Sequence, residues 1–233
     1  MLQVCYFILK KTFDEWNKGH LKSYLIEITA SIFRAKNTQG EFIIDTILDK
    51  AGQKGTGKWT INAGLEFGSA VSVISQAVFC RMISSLKDFR REVSKNYSDV
   101  NSKNKNGLIG ADNASTILSH LKNALLCSKI ASYAQGFSLM REASDQYDWK
   151  LDLAEISKIF RNGCIIRSDF LDQISQAYAT DSNLASLFLD NNFFAPKIKE
   201  SEAGWREAII FAIRSSIPCP AISSALNYFD SIK

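Results

Sequence analysis

Only three prolines interrupt the chain, Pro196, Pro218 and Pro220, so the first 195 residues contain no side chain that forbids a helical backbone. Along that run apolar residues recur at helical spacings, as at Leu21, Leu25, Ile28 and Ile32. The pattern predicts an all-α fold. Further helices are predicted over 41–51, 59–67, 69–92, 114–147, 152–160, 166–180, 183–190, 204–215 and 220–231, with ends placed to within about 2–4 residues. The polar segment Lys95 to Asn113, rich in Asn, Ser, Lys and Gly, reads as the one long loop.

The pattern also repeats. Trp16-Asn17-Lys18-Gly19 followed by Ser23, Leu25 and Ile28 resembles Arg161-Asn162-Gly163 followed by Ser168, Leu171 and Ile174. Ile74-Ser75 with Ala77 likewise matches Ile222-Ser223 with Ala225, so both pairs are offset by about 145 residues. A duplicated helical unit produces this, each copy burying its apolar face against the other. The expected architecture is a single all-helical domain over 1–233, a multi-helix bundle with repeats at about 12–92 and 158–231.

At 233 residues, 46% hydrophobic and 22% charged, the chain can bury a full core and is not disordered. A net charge of +4, dispersed along the sequence, lacks the concentrated basic face that nucleic acid demands. The cluster Lys87, Arg90, Arg91 reads as a solvated helix end. Cys5, Cys80, Cys127, Cys164 and Cys219 show no Cys-x-x-Cys spacing and sit among apolar neighbours, which reads as reduced core thiols in the cytoplasm. Asn96-Tyr97-Ser98 and Asn113-Ala114-Ser115 match a glycosylation pattern but carry no weight without a secretory signal, and Met1 to Leu9 lacks a basic start and a cleavage site. No segment has the ~18 uninterrupted apolar residues of a membrane helix.

Chemistry concentrates in Asp49-Lys50-Ala51-Gly52-Gln53-Lys54-Gly55-Thr56-Gly57-Lys58-Trp59. Glycines without side chains let backbone N–H groups turn toward one anion, while Lys54 and Lys58 supply charge and Thr56 a hydroxyl donor. Gly52, Gly57 and Lys58 fit a P-loop only as far as the next residue, Trp59, whose indole cannot take the place of the Mg²⁺-binding Ser or Thr. The apolar residues before the run, Phe42, Ile43, Ile44, Ile47 and Leu48, also have helical rather than strand spacing. An ordinary glycine-rich helix connection remains the alternative.

Further on, Arg81 stands in a run of Val71, Val73, Ile74, Val78, Phe79, Met82 and Ile83, where a cation needs a partner or a function. Folded back on the Lys54 turn it would complete a dianion site; otherwise its stem snorkels along the helix. His20 and His120 lack a third ligand at metal spacing and read as surface residues. Trp59, beside Ile61 and Leu65, reads as a core anchor, and Glu27 as a solvated or capping carboxylate.

With these residues in view, the chain resembles the 6-phosphogluconate dehydrogenases. Their signature is an aliphatic residue, any residue, Asp, two of any, Gly, a polar residue, then Lys-Gly-Thr-Gly-x-Trp, and Ile47 to Trp59 meets it without departure. Supporting matches are Glu15-Trp16-Asn17-Lys18-Gly19, Leu25-Ile26-Glu27-Ile28-Thr29, Ser84-Ser85-Leu86-Lys87-Asp88, Ser132-Tyr133-Ala134-Gln135-Gly136 and Gly163-Cys164-Ile165-Ile166-Arg167-Ser168. The resemblance implies the family's C-terminal all-helical domain, a homodimer formed through it, and a place in NADP-dependent oxidative decarboxylation of 6-phosphogluconate to ribulose 5-phosphate in the pentose phosphate pathway. It assigns Lys54, Thr56 and Arg81 to the substrate's phosphate.

It also implies gaps. No Gly-x-Gly-x-x-Gly occurs, so the family's N-terminal dinucleotide-binding domain is expected to be absent and the main NADP site with it. No residue matches the family's general base or acid, so none here is assigned a catalytic role, and the chain alone is expected to be inactive. Between Tyr6 and Trp16 it is shorter than the family pattern. The family's tail, which carries an arginine and a histidine to the partner's phosphate site, would follow Tyr228-Phe229-Asp230. The competing reading is a truncated, non-catalytic helical interaction protein that keeps only a dimer surface.

Overall fold

A computed structural model of the chain describes residues 2–98 and 114–233. The described residues form eleven α-helices and no β-strand. In order these are α1 (Leu2–Trp16), α2 (Tyr24–Ile32), α3 (Ile43–Thr46), α4 (Thr56–Glu66), α5 (Ser72–Ser85) and α6 (Lys87–Asn96). There follow α7 (Ala114–Tyr147), α8 (Leu153–Ile159), α9 (Phe170–Thr180), a 3₁₀ turn at Leu187–Leu189, α10 (Phe194–Arg214) and α11 (Pro220–Ile232). The chain divides into two compact units, 1–48 with 152–184 and 49–151 with 185–233.

In the first unit α1 packs on α2 and α8 on α9. The two stretches of chain meet at an isolated antiparallel bridge between Ser23 and Ser168, where the Tyr24 amide donates to the Arg167 carbonyl (3.1 Å) and the Asp169 amide to the Lys22 carbonyl (3.2 Å). The bridged serines are the two that the expected repeat pairs. Ser23 Oγ caps α2 by accepting from the Ile26 amide, and Ser168 Oγ accepts from the Phe170 amide at the start of α9. Behind this seam Leu21, Phe170, Leu171 and Ile174 are fully buried. Ser157 and Ser175, also buried, both donate to the Ala154 carbonyl, so their hydroxyls cost little in the core.

The second unit is organised around α7, a helix of 34 residues that touches α5, α10 and α11. Buried residues occupy several of its faces, as a central helix requires. Small residues let the backbones close up: Ala124, Cys127, Ala131 and Ala134 are fully buried, and a Cβ on Gly204 of α10 would lie 2.5 Å from Asn123 Nδ2. Gln135, also fully buried, reaches from α7 to the start of α5. There its Oε1 accepts from the Val73 amide (2.9 Å) and its Nε2 donates to Ser72 Oγ (3.0 Å). Burial pushes the Cys127 thiol up to about 12, which keeps it protonated and unreactive.

The helices fall where periodicity placed them, with informative exceptions. The long helix expected over 69–92 breaks at Leu86 (φ −85°, ψ 47°) into α5 and α6. The stretch expected as a helix over 41–51 keeps a single turn with no buried residue, and 183–190 keeps only its 3₁₀ turn. Helix α10 begins at Phe194 rather than near 204, because Pro196 sits in the first turn, where its missing amide has no partner to lose. Helix α1 was not anticipated. Most of the expected loop at Lys95 to Asn113, residues 99–113, lies outside the described residues, whereas Lys95 and Asn96 end α6. The expectation of core thiols holds only for Cys127, since Cys5 is exposed and the other three are half-buried.

Candidate functional site

The glycine-rich run spans the approach to α4 and its first turn, in the second unit. Gly55 is the N-cap at φ 102°, a left-handed conformation that favours glycine, and it brings no side chain to satisfy the first amides of the helix. Thr56 is the first helical residue and, like Lys54 and Lys58, is exposed. The first turn of α4 contains no acidic residue. Exposed amide donors, the positive end of the helix dipole, a hydroxyl and two ammonium groups therefore share one short segment.

Gly57 has a different reason for being glycine. A Cβ there would sit 2.5 Å from Val78 Cγ2, so the residue permits close packing of α4 on α5. That contact brings α5 alongside the turn, and Arg81, one helical turn beyond Val78, reaches back to it. Its Nε donates to the Gly52 carbonyl at 2.7 Å. Arg81 is exposed, so its place in an apolar run does not mean burial; Phe79, Met82 and Ile83 beside it are exposed too. Of the three residues predicted for the site, Thr56 opens α4, Lys54 lies two residues before it, and Arg81 is tied to the same turn through Gly52.

Sequence reasoning missed the residues that hold this segment in place. The Ala51 amide donates to Ser84 Oγ at 3.0 Å. Arg90, expected to be solvated, instead forks around Asp49: Nη1 donates to Oδ2 (2.9 Å), and Nη2 donates to the Asp49 carbonyl (2.8 Å) and to the Ser84 carbonyl (3.1 Å). The Arg90 guanidinium holds the Asp49 carboxyl below its ordinary value. The signal was the signature's aspartate, which calls for a cationic partner, but nothing in the sequence marks a residue 41 positions away as that partner.

Trp59 is not a core anchor. It is 67% exposed, and its ring edge stands 3.8 Å from where a Cβ on Gly55 would be. Glu27 is exposed in the first turn of α2, 3.9 Å from Arg167, in keeping with a solvated carboxylate at a helix start. His20 is exposed, whereas His120 is half-buried beside a small hollow of about 210 Å³ that Glu207 and Arg214 also line. Among the described residues no three His, Cys, Asp or Glu side chains could share a metal ion, and no helix is long and apolar enough to cross a membrane.

Fold and site together define an all-helical domain with an uncapped, cation-flanked helix start. The family model described as 6-phosphogluconate dehydrogenase, C-terminal domain, matches residues 2–233, and this chain belongs to that family. It is 44% identical over 225 residues to a decarboxylating 6-phosphogluconate dehydrogenase of Citrobacter freundii, covering 97% of this chain and 49% of the relative. A Klebsiella pneumoniae relative of the same description is 43% identical, with 97% and 47% covered. Among solved structures, a Plasmodium falciparum 6-phosphogluconate dehydrogenase, determined in its apo form and in complex with NADP⁺ and with 6-phosphogluconate, superposes with a TM-score of 0.88 at 41% identity. That match covers 97% of this chain and 47% of the other. The chain spans about half the length of the relatives it matches.

Proposed function

We propose that this chain supplies the phosphate grip of the substrate site of a decarboxylating 6-phosphogluconate dehydrogenase, with Lys54, Thr56 and Arg81 as the residues that hold the phosphate. The observation that carries this reading is the Arg81–Gly52 hydrogen bond, which fixes a guanidinium beside an uncapped helix start. A sugar-phosphate dianion would receive charge-assisted bonds from Arg81 and Lys54, a hydroxyl from Thr56 and the dipole of α4. No residue of this chain is assigned to NADP⁺ or to the proton transfers of the reaction. With no Gly-x-Gly-x-x-Gly in the sequence, we assign that chemistry to the portion of the relatives this chain does not span.

The proposal includes an internal duplication, supported by the pairing of Ser23 with Ser168 and by the packing of α5 on α11, the helices that carry the Ile74 and Ile222 motifs. It also includes a homodimer and a cytoplasmic setting. The exposed apolar side chains of α5, of α6 and of the break between them, Phe79, Ile83, Leu86 and Phe89, favour association.

The test is thermal unfolding with 6-phosphogluconate and with gluconate. At ligand ten times its Kd, linkage gives about 1.4 kcal/mol, a rise of roughly 3–6 °C for a chain of this size. Only the phosphorylated acid should produce it, and Arg81→Ala should remove it. No rise at millimolar ligand, together with a concentration-dependent dimer by light scattering, would favour the non-catalytic interaction protein instead.

A further inference from the structure

We infer that Arg90 is a positioning residue for the phosphate-binding turn, fixing Asp49 to Gly52 against the α5–α6 junction so that Lys54, Thr56 and Arg81 meet the ligand already in place. The inference rests on the function proposed above. Arg90 approaches no ligand-facing group itself and acts through Asp49 and Ser84.

Its geometry separates this role from that of an ordinary surface ion pair. The Asp49 side chain is 70% exposed, and a charge pair so open to water contributes little to stability. Two of the three Arg90 bonds, however, go to main-chain carbonyls, Asp49 O and Ser84 O, and the Nε of Arg90 is buried with no partner. The fork therefore joins the segment before the turn to the last residues of α5, and Ser84 Oγ makes a second tie by accepting from the Ala51 amide. From Gly52 the same segment is tied to Arg81. Four hydrogen bonds from residues 49–52 to Arg81, Ser84 and Arg90 thus set where the chain enters α4, and a turn held in its bound geometry avoids the ordering cost that a loose one meets on binding.

A planar fork and a point charge predict different outcomes. If Arg90 acts as a fork, Arg90→Lys behaves like Arg90→Ala, and Asp49→Asn, which keeps the main-chain acceptor, is milder. If it acts only as a charge, Arg90→Lys behaves like the unmutated chain and Asp49→Asn like Arg90→Ala.

The experiment measures 6-phosphogluconate affinity by calorimetry alongside amide hydrogen exchange over residues 49–58, for the unmutated chain, Arg90→Ala, Arg90→Lys, Asp49→Asn and Ser84→Ala. The expected result is an affinity loss of about ten- to a hundredfold in both Arg90 variants, a smaller loss in Ser84→Ala, and faster exchange confined to the turn. Should Arg90→Ala fail to fold, Arg90→Lys and Ser84→Ala decide. Affinity unchanged in the variants, with the unmutated chain binding, overturns the role of Arg90 and leaves the proposed function intact. No binding by the unmutated chain overturns both.

Discussion

The helix starts of the two units contrast in how they treat their first amides. In the first unit α2 begins under the Ser23 hydroxyl with Glu27 in its first turn, α8 begins under Asp152 with Glu155, and α9 has Ser168 and Asp172. Each of these gives one of its first amides to a side chain of its own and places a carboxylate at its positive end, which disfavours an anion there. In the second unit α4 begins at a glycine with no cap, no acidic first turn, and Lys54, Lys58 and Arg81 close by. Even α5, which has no cap of its own, is served by Gln135. The start of α11 likewise lacks a side-chain cap and an acidic first turn, so what sets α4 apart from it is the set of cations, Lys54, Lys58 and Arg81, gathered at its positive end.

The contrast can be broken by substitution. The largest expected effect is Gly57→Ala, whose Cβ meets Val78 Cγ2 at 2.5 Å; overpacking there should cost about 1–3 kcal/mol in denaturant unfolding, and Val78→Ala in the same chain should restore part of it. Next is Lys58→Glu, which puts a carboxylate in the first turn of α4, as α2, α8 and α9 have in theirs, without touching the positive-φ glycine. It should weaken 6-phosphogluconate binding at least about tenfold in calorimetry, and an unchanged affinity would mean that the α4 start does not face the ligand. Ser23→Ala, by contrast, should cost about 1 kcal/mol of stability with no effect on ligand affinity.

The smallest effect sharpens the comparison through pH. Arg206 of α10 bonds both Glu202 and Asp230, and its guanidinium, with Lys233 second, holds the Asp230 carboxyl down to about 2 from 3.8. Because the folded value is the lower one, this contribution is complete above about pH 4 and fades as the pH falls toward 2. Acid unfolding of Arg206→Gln should therefore differ from the unmutated chain at neutral pH and converge with it near pH 2. The start of α4, having no acidic residue in its first turn, should leave that acid transition unchanged in Lys54→Ala.

Periodicity and the scarcity of proline made the helices legible, and the composition of Gly52 to Lys58 made the turn legible. What stayed hidden was whatever depends on a distant partner. The break at Leu86 involves neither Gly nor Pro, so no local signal announces it. Gly57 looked like a glycine for a ligand because its constraint, Val78, lies on another helix. Trp59 looked like core because Ile61 and Leu65 are near in sequence, yet Leu65 is itself 79% exposed. Arg90 and Asp49 were each read alone, and their meaning comes from meeting.

The seam at Ser23 and Ser168 has a consequence for synthesis. Residues 1–48 leave the ribosome well before 152–184, and the intervening 103 residues, 49–151, take on the order of ten seconds to translate. During that interval Leu21 and Ile26 lack Phe170, Leu171 and Ile174, the hydrophobic side chains that complete their unit. The helices of residues 1–48 consequently hold that apolar surface open until residues 152–184 emerge to cover it.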